Sequence, residues 1–334
     1  MTALGLRAWR LPAAATTAAA VGLAGAGAAA YGVTVVIGRV LARDGLAPAT
    51  ALGIRFAFAA AVLAVVLTLR RVARMARRDL LAALALGAFG YAGQSTLFYL
   101  SLQRGTAATS ILLFYAYPAL VCVIGWLALR ERRPSARTGV ALALSAAGSA
   151  MVAAGGGPVA IDPLAVIFAL GSAAVFAVYV LCGERIAAGV DAMAKAAGVA
   201  AGAAVASAGQ GALTGGLVGP GSRWLLLLAY GAFTAAAFTL MFAALARLGA
   251  RHTSIVMTLE AVFAVALATL LLGETLGPWQ AGGGAAIIAA TLLVVGAGSA
   301  ARSANGTSSP HTGDQVPRDA PNDEFLRRAR SEQA

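Results

Sequence analysis

The chain has 334 residues, of which 60% are hydrophobic and only 11% charged, less than half the charge of an ordinary soluble domain. A soluble fold would lack polar surface, and ten membrane helices of about 20 residues with short connections account for roughly the first 300 positions. The net charge of +12 comes from 25 Lys and Arg against 13 Asp and Glu. The basic residues sit in short clusters between apolar runs, which points to membrane topology and lipid contact and away from a nucleic-acid groove.

Apolar runs fall at about 18–39, 51–69, 80–102, 107–129, 136–154, 163–183, 192–213, 223–246, 252–272 and 279–298. Lipid offers backbone groups no hydrogen bonds, so each run is expected to be helical. The fold class is therefore an all-α membrane protein of ten transmembrane helices. Residues 1–17 are read as a cytoplasmic N-terminal segment, 18–154 and 163–298 as two five-helix repeats, and 299–334 as a disordered cytoplasmic tail rich in Ser, Asn, Pro and balanced charges. A cleaved export signal is the rival reading of the first run, which follows Arg7 and Arg10. That run continues from Tyr31 to Ile37, further than a signal requires, and its loss would leave nine spans.

Placing the N terminus in the cytoplasm puts twenty Lys and Arg on the inner side, including Arg70, Arg71, Arg74, Arg77, Arg78, Arg130, Arg132, Arg133, Arg137, Arg185, Lys195, Arg247 and Arg251. Only Arg39, Arg43, Arg104 and Arg223 face outward, and Arg55 lies within the second run. The expected location is the cell membrane, multi-pass, with both termini cytoplasmic.

The sequence repeats itself at an offset of 144. Gly87, Ala88, Phe89, Ala92, Phe98, Gly105, Thr109, Ser110 and Ile111 match Gly231, Ala232, Phe233, Ala236, Phe242, Gly249, Thr253, Ser254 and Ile255. Near the same offset Glu131 pairs with Glu274 and Tyr31 with Phe176. Five spans per repeat is an odd number, so the second half enters the membrane in the opposite sense: the repeats are inverted. Two inverted halves around a midplane site are a transporter architecture.

At these residues the chain resembles the EamA family of the drug/metabolite transporter superfamily. The matching features are Tyr31-Gly32, Ile54-Arg55-Phe56, the Ala and Ser/Thr pattern running into Pro118, and Leu272-Gly273-Glu274-Thr275-Leu276 with its counterpart Arg130-Glu131-Arg132. The resemblance implies a ten-helix carrier with a central cavity between the halves, often an exporter of amino acids or other metabolites. Two features depart from the family. Glu260 is followed by Ala261 where relatives often carry Pro, so no proline kink is assumed there, and the first helix lacks the acid that small multidrug relatives use.

Glu260 is the one acid near the middle of an apolar run. A charge at that depth costs about 2.5–3.5 kcal/mol on insertion scales, so it must face a wet cavity, find a partner or stay protonated. It is read as a site for a substrate amine or a proton, with a buried packing contact as the alternative. Arg55 is either an anchor that snorkels to the outer surface or a gate or substrate-carboxylate contact. Pro118 frees the carbonyl of Phe114 and should kink the fourth helix. Tyr31, Thr34, Tyr91, Gln94, Ser95, Tyr115, Tyr179 and Thr239 supply polar atoms for a pocket of aromatic walls and few hydrogen bonds, or else mark the interfacial belt.

No cofactor or metal is expected: Cys122, Cys182, His252 and His311 share no metal-site spacing, and no nucleotide-binding loop is present. The spans hold no paired acids and no Ser-His or His-acid set, which argues against a membrane enzyme. The expected function is secondary transport of a small metabolite, an amino acid or related compound, with export the expected direction. The alternative is a membrane scaffold or receptor subunit, which accounts for helices but not for the repeat. The expected partners are a small-molecule substrate and the lipid bilayer, with monomer and homodimer both open. Reporter fusions at residue 158 and at the C terminus should lie on opposite sides of the membrane; the same side for both would refute this topology.

Overall fold

The computed structural model describes residues 13–104, 107–154, 162–186, 189–216, 219, 221–272 and 277–306. Every regular element among them is helical: α1 (Ala13–Arg43), α2 (Pro48–Leu69), α3 (Arg77–Ala85), a π-helical turn (Leu86–Tyr91), α4 (Ala92–Arg104), α5 (Ala107–Phe114), α6 (Tyr117–Leu127), α7 (Ala136–Ala154), α8 (Pro163–Arg185), α9 (Ala192–Thr214), α10 (Trp224–Met257), α11 (Leu259–Leu272) and α12 (Pro278–Gly306). Eight helical stretches are long and apolar enough to cross a membrane, and two shorter apolar helices, Leu259–Leu271 and Pro278–Val294, accompany them. The described residues up to Ser299 form one compact unit.

Helix starts are fixed by local chemistry. Asp162 accepts hydrogen bonds from the amides of Leu164 (2.8 Å) and Ala165 (3.3 Å) ahead of α8, and Asp191 does the same for Met193 (2.9 Å) and Ala194 (3.2 Å) ahead of α9. Pro occupies the first turn of α2, α6 and α8, where a missing amide costs nothing. α9 ends on Gly215 in the left-handed conformation.

Three helix boundaries have physical causes. The connection expected between the eighth and ninth spans falls on a kink within α10, at Gly249, whose φ of 75° and ψ of 167° break the helical backbone into two stretches. A second break lies at Thr258, between α10 and α11. α12 extends to Gly306, into the segment expected to be disordered, because Ala297, Ala300, Ala301 and Ala304 favour helix regardless of hydropathy. The rest of that tail, 307–334, lies outside the described residues, as do residues 1–12 and the Gly273-Glu274-Thr275-Leu276 segment.

Small residues let helix backbones touch. A Cβ on Gly87 would stand 2.0 Å from the Val199 carbonyl oxygen, and one on Gly202 would stand 2.0 Å from that of Leu84. The π turn and α9 thus meet backbone to backbone. In the second half a Cβ on Gly231 would meet the Arg55 carbonyl at 2.9 Å, joining α10 to α2. Gly87 and Gly231 are partners in the repeat, and Val199 and Arg55 are separated by the same 144 positions. Gly87→Ala or Gly202→Ala must push the backbones apart, and each should cost about 1–3 kcal/mol. Thermal unfolding in detergent checks this, with Gly22→Ala, where a Cβ meets nothing within 4 Å, as the neutral control.

Candidate functional site

Arg55 does not snorkel. Its side chain is buried at 6% exposure and turns into the bundle. There Nε donates to the Thr234 hydroxyl (2.6 Å), one terminal nitrogen to the Tyr230 hydroxyl (3.0 Å) and the other to the Tyr91 hydroxyl (3.5 Å). The guanidinium also lies over the Tyr230 ring at 4.4 Å and the Phe56 ring at 5.0 Å. Three hydroxyls and two ring faces replace its lost hydration.

The rings around it are continuous. Tyr91 meets Phe238 (4.7 Å), Tyr179 (5.4 Å) and Phe56 (5.5 Å), all edge to face. Phe176 stacks on Tyr179 and meets Tyr117 and Phe114, extending the cluster to the fourth-helix break. Tyr115 packs on Phe114 and Tyr117. Tyr31 closes the other side against Phe238, its hydroxyl lying 3.9 Å from the Met241 sulfur.

Glu260 stands in the first turn of α11, half-buried, within electrostatic reach of Arg55, Tyr31, Tyr91 and Tyr117. It forms no ion pair among the described residues. A helix start suits a carboxylate, since free amides and the helix dipole point at it. An acid and a guanidinium in an apolar bundle thus share one neighbourhood of tyrosines with no ion pair between them among the described residues.

Broken helices bring these groups together. Pro118 parts α5 from α6 at Tyr115–Ala116, as expected from its missing amide. Thr258 does the equivalent without proline. Its amide bonds the Ile255 carbonyl at 3.2 Å, a tightened i−3 turn, and its hydroxyl takes the same carbonyl at 2.6 Å. The turn leaves the Ser254 carbonyl without that amide, and Tyr117 donates to it at 3.1 Å. One broken helix therefore completes the other.

The remaining sequence candidates spend their hydrogen bonds on helix backbones and on one helix contact. Thr34 and Thr239 bond carbonyls of their own helices, Tyr31 at 2.7 Å and Ala235 at 2.8 Å. Gln94 donates to Ser172 (3.1 Å), which donates back to the Gln94 carbonyl (3.0 Å), and Ser95 donates to Gln94, so this trio ties α4 to α8. Sequence reasoning missed Tyr230, Thr234, Phe238 and Phe242, which recur every fourth residue on one face of α10 and were legible as a stripe.

A small pocket of about 10 Å³ remains beside Tyr117 and Phe176, lined also by Val180, Met241, Thr253, Ser254 and Met257. A larger and more open groove of about 520 Å³ runs between α11 and α12, but it is walled by Val262, Val265, Ala266 and Ala285 and holds no charged side chain. The chemistry lies at the closed cluster, and the candidate site is placed there.

Tyr230→Phe and Thr234→Val each remove one acceptor from Arg55 while keeping shape. Each should cost about 1–3 kcal/mol, less than additively in combination. No loss from either, or full additivity of the two in thermal unfolding, would show that the guanidinium is not held as described.

The EamA-like transporter family matches residues 18–154 and 163–296. A solved structure, described as a crystal structure of a protein, shares the fold at a TM-score of 0.71 over 85% of this chain and 99% of its own, with 18% identity. No curated protein matches the chain.

Proposed function

Because the chain belongs to the EamA-like transporter family, multi-pass membrane transporters of the drug/metabolite type and not enzymes, we propose that it exports a small metabolite by alternating access. The cargo is an amino acid or a related compound, and the membrane is the cytoplasmic one. The observation that carries this reading is that Arg55, held by tyrosine hydroxyls, and Glu260, at the start of α11 beside the Thr258 break, lie in one electrostatic neighbourhood. A zwitterion offers an ammonium to the first and a carboxylate to the second, and the rings accept an apolar side chain.

Ten spans follow if α10 crosses as far as Leu248 and its remainder joins α11 in a second crossing after Gly249. Inversion of the two halves is supported by the paired contacts Gly87 to Val199 and Gly231 to Arg55, each made by one half on the other. The arginine distribution sets both termini in the cytoplasm. Glu260 lies nine residues beyond Arg251 and past the Thr258 break, which supports a place inside a hydrocarbon core about 30 Å thick. Carriers of this architecture bind cargo at that depth.

Glu260→Gln keeps the shape and removes the charge. Uptake of a panel of amino acids and cationic compounds into proteoliposomes should fall at least about tenfold, equivalent to about 1.4 kcal/mol of lost recognition. Normal uptake by a well-expressed variant, with unchanged pH dependence, would leave Glu260 as a packing residue.

A further inference from the structure

Glu131 lies outside the central site, and its position is specified with unusual care. Arg130 before it adopts the left-handed conformation, φ 54°, which an arginine takes only at a cost. That turn directs the Glu131 amide back to the Gly125 carbonyl at 3.0 Å and sets the carboxylate over Gly125, where a Cβ would meet it at 2.7 Å. Both ionic partners of the carboxylate come from the other repeat. Arg185 at the end of α8 donates to one oxygen, and Arg251 just past the Gly249 break reaches the second at 3.3 Å. Arg251 also donates to the Arg132 carbonyl at 3.0 Å. Next to them the Glu184 carboxylate accepts the Ala250 amide at 3.0 Å, a backbone group freed by the Gly249 kink.

The small pocket is shared between the aromatic cluster, through Tyr117 and Phe176, and the stretch of α10 that follows Arg251, through Thr253, Ser254 and Met257. Thr253, two residues beyond Arg251, lines the cavity with a buried hydroxyl that has no partner, and the Arg251 Nε is likewise buried and unpartnered. Each such atom costs about 1–3 kcal/mol that water would restore. The closed arrangement therefore combines ionic contacts between halves with an unpaid desolvation, which is the balance that a two-state closure needs. We propose that Glu131, clasped by Arg185 and Arg251, is the inner latch of the carrier: it seals the cytoplasmic mouth and must release both arginines for cargo to enter. This rests on the transport reading above.

The test reads accessibility with no cargo present, so its result is separable from that of the uptake assay. Cys122 and Cys182 are replaced by Ala and Thr253→Cys is introduced into the full chain. Inside-out vesicles are then treated with a membrane-impermeant maleimide. The parent should label slowly, Glu131→Gln at least about fivefold faster, Arg185→Gln faster to a lesser degree, and Glu131→Asp like the parent. If a variant fails to insert, the parent alone at 1 M salt should label faster, because screening at about 3 Å weakens partly exposed pairs. Labelling unchanged by both the substitutions and salt would overturn the latch.

Discussion

Several helices in this bundle approach backbone to backbone at glycine, and the placing of Arg55 depends on one such approach. In lipid the hydrophobic effect gives helices little reason to associate, so packing at small residues must do it. Gly231 lets α10 lie against the Arg55 carbonyl of α2. At that spacing the guanidinium reaches Tyr230 and Thr234 on the approaching helix. Gly87 brings the π turn onto α9 at Val199, and the extra residue of the π turn rotates Tyr91 into the cluster. A side chain at either glycine would displace a helix and with it a wall of the site.

Much of the architecture was readable because it follows from solvent. Apolar runs, arginine clusters and the repeat at an offset of 144 are properties of single helices and of their order. The proline break was equally local, since Pro118 removes its own amide. Legibility failed where the outcome depends on which helix stands opposite. Arg55 is four residues inside its expected run, so snorkelling looked adequate. Only the arrival of Tyr230, Thr234 and Tyr91 from distant segments makes burial the better solution. The break at Thr258 was hidden for a related reason, because it needs a Tyr from the other repeat to take up the freed carbonyl. Gln94 and Ser95 failed in the opposite direction, being polar groups consumed by a helix contact instead of a pocket.

The two halves share a scaffold but not their chemistry. Val199 stands at the repeat position of Arg55, and Ala116 at that of Glu260. A symmetric scaffold can exchange conformations at low cost because each half can adopt the other's shape. On the proposed reading, an acid and a guanidinium placed asymmetrically would let the site present one orientation to a zwitterionic cargo throughout that exchange. Breaking symmetry at two positions keeps the mechanical advantage of the repeat and adds chemical direction.

The same logic governs the two ends of the bundle. Far from the Glu131 network, Arg223 binds Asp44 through both its carboxylate and its carbonyl, each at 3.0 Å, again joining one repeat to the other. Both assemblies are partly exposed, and exposed pairs of this kind are worth about 1 kcal/mol or less. That weakness is appropriate. A deeply buried pair at either end would cost several kcal/mol to separate and would hold the bundle in one state. On the proposed reading, partly hydrated pairs suit a closure that must stay within reach of the differential binding energy that a small cargo can supply.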